Sequence, residues 1–113
     1  MIRSRILRLV TAFVCAVCLF GGRADAGDRR LLVINASDEP IYAVRIGNAD
    51  EHKWGPDLLP FNDVIDVSRG REVHIRFDPT DCVHDLAATY HDGLVVVIRN
   101  VDICTTTQVS FRR

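Results

Sequence analysis

Short apolar runs alternate with turn-forming residues from Leu31 to the C-terminus, and no window keeps an apolar face at helical spacing for three turns. This is an all-β pattern. Leu31 to Ala36 is rich in branched side chains and stops at Ser37-Asp38-Glu39-Pro40, where Pro40 fixes φ and has no N–H to give to a ladder. Ile41 to Ile46, ended by Gly47-Asn48, reads as its hairpin partner. From Ala49 to Pro60 the alternation breaks, and Trp54-Gly55-Pro56-Asp57-Leu58-Leu59-Pro60 is too short and proline-bounded for an ordinary helix. A long connection with one helical turn starting near Asp57 is expected, with Trp54 as an apolar plug on one end of the core.

Val64 to Val67 predicts a short strand, followed by a turn at Ser68-Arg69-Gly70. The next segment alternates most clearly, with Val73, Ile75 and Phe77 on one face and Glu72, His74, Arg76 and Asp78 on the other, so one face packs and one is wet. Cys82 to Tyr90 is a further strand. Asp92-Gly93 is the strongest hairpin signal in the chain, because Gly tolerates the positive φ of a tight turn. The unbroken run Leu94 to Ile98 predicts a central strand covered on both faces, and Gln108 to Phe111 a last edge strand capped by Arg112 and Arg113. About seven strands at these spacings predict a single antiparallel β-sandwich, immunoglobulin-like or similar, with Gly27 to Arg30 a loose leader.

The first 26 residues have a different pattern. Arg3, Arg5 and Arg8 precede an uncharged, mostly apolar run of twelve from Leu9 to Phe20, and Ala24-Asp25-Ala26 offers small residues at both specificity positions of a cleavage site. A bilayer-spanning helix needs about 20 apolar residues, so residues 1–26 read as a signal peptide and 27–113 as the exported domain. The domain then keeps 10 basic and 14 acidic side chains, a formal net charge of −4. Mild acidity without a basic stripe argues against a nucleic-acid partner, and no stable membrane insertion is expected after cleavage. A periplasmic or secreted location is also oxidising. Cys82 and Cys104, the two cysteines left after cleavage, are therefore expected to form a disulfide. Closing such a loop contributes roughly 3 kcal/mol in the chain-entropy account, a large share for an 87-residue domain.

The order Asn35-x-Ser37, Ile41-Tyr42, Trp54-Gly55-x-Asp57-Leu58-Leu59, Cys82-x-x-Asp85-Leu86, Asp92-Gly93 and Asn100-Val101-Asp102-x-Cys104 resembles a group of small exported proteobacterial proteins without an established activity. Some members of that group carry an argininosuccinate lyase label, although that enzyme is a much longer helical tetramer whose motifs this chain lacks. The resemblance implies a periplasmic or secreted β-domain and transfers no catalytic residue.

Candidate chemistry is sparse. His52, His74, His84 and His91 invite a periplasmic metal-binding reading, but there is no His-x-His, Cys-His cluster or Glu-x-x-His, so surface or capping roles and no metal or cofactor are expected. Asp85 and Asp102 each lie near a cysteine of the pair. A bridge could bring the two carboxylates together, and a small secreted hydrolase using that pair is the rival enzymatic reading. Structural service at turns is the commoner role of such residues. No serine sits in a Gly-x-Ser-x-Gly elbow, and Asn35-Ala36-Ser37, formally a glycosylation acceptor, reads as a strand end with an Asx turn. The Trp54 loop with Asp57 and Leu58 is the leading binding candidate, since aromatic anchors dominate interface energetics. The expectation is a non-enzymatic binding or accessory domain for a protein or cell-envelope component.

Overall fold

A computed structural model describes residues 27–113; the export segment expected at 1–26 lies outside the described residues. Seven strands follow in order: β1 Asp28–Asn35, β2 Ile41–Asn48, β3 Lys53–Trp54, β4 Gly70–Arg76, β5 Val83–Tyr90, β6 Val95–Asp102 and β7 Gln108–Phe111. They form two sheets, a three-stranded one in the order β4-β1-β7 and a four-stranded one in the order β3-β2-β5-β6. The inner faces carry the alternating apolar residues. Leu31 and Val33 of β1, Val73 and Ile75 of β4 and Phe111 of β7 meet Ile41 and Val44 of β2 and Leu86, Ala88 and Tyr90 of β5, all buried. The fold is an all-β sandwich closed by the expected disulfide, Cys82 to Cys104, with Cα atoms 5.4 Å apart.

Several local expectations need correction. The first two strands are not a hairpin: β1 pairs with β4 and β7, whereas β2 pairs with β3 and β5. The turn at Ser37–Pro40 instead carries the chain from one sheet to the other. Asn35 fixes this crossing from inside the core, where its Oδ1 accepts from Ser37 N and its Nδ2 donates to the carbonyls of Glu39 and Ile65. One pair is parallel, β1 with β7, so the sandwich is not wholly antiparallel. Val64 to Val67 makes no strand, only an isolated bridge from Ile65 to Ile41, and the seventh strand is the two-residue β3. No helical turn forms at Asp57. Gly27 to Arg30 is not loose: β1 begins at Asp28, Gly27 O accepts from Phe77 N, and the Arg29 guanidinium donates to the Cys104 carbonyl.

The largest departure is β6. The run expected at the centre of a sheet is an edge strand, with Leu94 47%, Val95 50% and Val97 38% exposed. Only alternate residues, Val96 and Ile98, pack against the core. The interior places belong to β2 and β5, and in β5 Ala87 and Ala88 are small enough to be covered from both sides.

Candidate functional site

Asp85 is 7% exposed, and each carboxylate oxygen has its own backbone donor: Oδ2 accepts from Ala49 N at 2.7 Å and Oδ1 from Asn100 N at 2.9 Å. Both donors lie at irregularities in the sheet. Between His84 and Leu86 the β5–β6 register slips, so Arg99 and Asn100 face one residue and the Asn100 N–H loses its ladder partner. Asn100 takes a left-handed φ of 57° there, and Ala49 opens the loop joining β2 to β3. One carboxylate therefore ties a bulge on one side of β5 to a hairpin loop on the other. These hydrogen bonds, Ala49 first and Asn100 next, hold the Asp85 carboxyl below its ordinary pKa against the opposing effect of burial.

Asp102 belongs to a separate hydrogen-bonding system. It is exposed, and its Oδ1 accepts from Cys104 N at 3.0 Å in the turn that also receives Thr105 N and Thr106 N on the Asp102 carbonyl. Its carboxylate lies within 4.8 Å of both sulfurs, which are already joined to each other. The histidines do not converge either: His74 pairs with Asp28, His84 contacts Asp81, and His91 lies 3.6 Å from Glu39 with its ring tilted against Tyr42.

The loop expected to bind is placed differently from its sequence reading. Trp54 is half-buried on β3 opposite Gly47 and lies outside the core cluster, so it does not plug the sandwich. Leu58 and Leu59 fill that place. Asp57 sets them there: its Oδ1 accepts from Val44 N and Leu59 N, both at 3.0 Å, while Leu58 N donates to the Val44 carbonyl. The same connection then turns outward at Pro60. Phe61 is 93% exposed, and with Tyr42, Asp57, Leu59, Asn62 and Val64 it frames a cleft of about 570 Å³. That volume lies within the range of small-ligand and side-chain pockets.

Sequence reasoning missed Phe61, which sits between Pro60 and Asn62 where no periodicity marks its face. The available signal was an aromatic residue inside a turn, since Asn62 takes a left-handed φ of 63°. A second cleft, of about 420 Å³ around Asp50, Asp81, His84, Asp85 and Arg99, is polar and internally paired. Arg99 holds Asp50 at 3.0 Å, His84 contacts Asp81, and Asp85 holds backbone amides, while Glu51 and Lys53 also line the cleft. No family model, no curated protein and no solved structure matches this chain.

Proposed function

We propose that this protein is an exported, non-enzymatic binding or accessory domain that holds an apolar side chain of a protein partner in the Tyr42–Phe61 cleft. The observation that carries the reading is Phe61. A phenyl ring 93% exposed contributes nothing to the core and leaves apolar area in water that a partner's side chain can cover. Tyr42, 48% exposed and set at a 50° tilt against the His91 ring with centroids 5.1 Å apart, gives the cleft a second aromatic wall. Such rings are the residue types that dominate interface energies.

The non-enzymatic part rests on the carboxylates. A general acid needs a raised pKa and a free oxygen, whereas Asp85 has a lowered pKa and a backbone donor on each oxygen. Export itself rests on the arginine-flanked apolar run at the N-terminus and on a disulfide that an oxidising compartment preserves.

Photo-cross-linking in the producing cell tests the reading. A benzophenone side chain at position 61 is expected to yield a discrete adduct with an envelope or secreted protein, and one at the exposed Glu51 is not. Equal labelling from both positions removes the cleft as a binding site. Phe61→Ala leaves stability within about 0.5 kcal/mol of the parent protein, so lost cross-linking at neighbouring positions in that background reports binding and not unfolding.

A further inference from the structure

Among the described residues the two sheets have four edges, and three are protected. β3 is two residues long and runs into Gly55-Pro56; β7 is four residues long and followed by Arg112 and Arg113; β4 turns Glu72, His74 and Arg76 to solvent. Shortness, proline and charge are the usual defences of a sheet edge. The fourth edge, β6, has none of them between Val95 and Ile98, and it presents Leu94, Val95 and Val97 to solvent.

Its free backbone groups can be assigned. Tyr90 N donates to the Leu94 carbonyl, so Leu94 faces β5; by alternation Val96 and Ile98 do the same, and Val95 and Val97 offer N–H and C=O outward. An added strand must meet those two residues and keep the inner face of the sheet inner, which permits only register shifts of two residues.

We propose that β6 pairs antiparallel with β6 of a second copy of this chain, about a two-fold axis at Val96. In this register Val95 of each copy lies opposite Val97 of the other, and these are the residues with free backbone groups. Leu94 lies opposite Ile98, and Val96 opposite itself, so every position from Leu94 to Ile98 meets an apolar partner. At both ends Arg99, held by Asp50 of its own chain, lies opposite Gly93 of the second copy, so no like charges are brought together. Neighbouring registers are worse: one places Val95 opposite Arg99, the other Asp92 opposite Ile98. Self-complementarity of this kind is what a two-fold dimer requires, and it joins the four-stranded sheets into one continuous sheet.

The test combines sedimentation equilibrium with amide exchange on the purified protein across a wide concentration range. A dimer is expected, with the Val95 and Val97 amides slowed by about tenfold or more on association, because both N–H groups point away from β5 and have no partner among the described residues. Val97→Lys places a charge on the edge and Val95→Pro removes one outward N–H while leaving the β5–β6 ladder intact; both are expected to sediment as monomers with unchanged circular dichroism. A protein monomeric at every concentration overturns the proposal, as does a dimer that survives both substitutions or leaves the two amides unprotected. Cross-linking from position 61 is independent of each of these outcomes.

Discussion

Asp85 shows how one buried carboxylate can organise several strands. Replacing it with Asn turns an amide NH2 toward one of two backbone N–H groups, so Asp85→Asn is expected to lower Tm by several degrees at neutral pH even though the shape is conserved. The pH dependence follows from the same contacts. Asp78, Asp85 and Asp92 all have lowered pKa values in the folded protein, held respectively by Thr80, by the Ala49 and Asn100 amides, and by Arg113. Each of these three groups therefore adds stability that is whole above the ordinary carboxylate range, at about pH 4, and is lost as pH falls through its lower folded-state value. Thermal melts are expected to show a steep loss of Tm below about pH 4 in the parent protein and a shallower one in Asp85→Asn. An identical acid limb in the two proteins contradicts the assignment.

At the scale of elements, irregularities decide where the strands stop. Gly47 is a place where β2 and β3 approach too closely for a side chain: a Cβ there would lie 2.1 Å from the Lys53 carbonyl oxygen and 2.9 Å from Trp54 Cα. Gly47→Ala is expected to cost about 1–3 kcal/mol and to loosen β3, and a rise in Trp54 solvent exposure, read by fluorescence quenching, checks it. The β5–β6 hairpin turns at Gly93, whose φ of 93° matches the Asp-Gly signal in the sequence. That signal fixes which strands are neighbours, but it does not say which of them lies at the edge of the sheet. Leu94 to Ile98 shows why. An unbroken apolar run marks residues that avoid water in some context, and a covered central strand and an interface-forming edge have the same composition.

For the whole molecule, the disulfide joins the start of β5 to the turn after β6, and Ile103 N donates to the Cys82 carbonyl beside it. The paired substitution Cys82→Ala with Cys104→Ala is expected to destabilise the domain by roughly 3 kcal/mol, on the order of 15 °C in Tm. Calorimetry of the double variant against the parent measures the loss directly. A difference below about 2 °C means that the sandwich alone supplies the stability of this part of the chain.

The amino-acid sequence determined the strand class, the tight turn at Asp92-Gly93 and the alternating face of Val73 and Ile75, because each depends on neighbours within a few residues, and the pairing of Cys82 with Cys104 followed from the expectation that these two of the four cysteines remain together. Asn35 was legible for the same reason, as a strand end with its own local hydrogen bond to Ser37 N. Only the tertiary structure decided that β1 and β2 part into different sheets, that β7 runs parallel to β1, and that β6 is left at an edge. It also decided that Asp85 would tie a bulge of β6 to the β2–β3 loop and that Phe61, and not Trp54, would stand in solvent. Those outcomes turn on which distant segments cover one another, and periodicity records only that a face is covered, not by what.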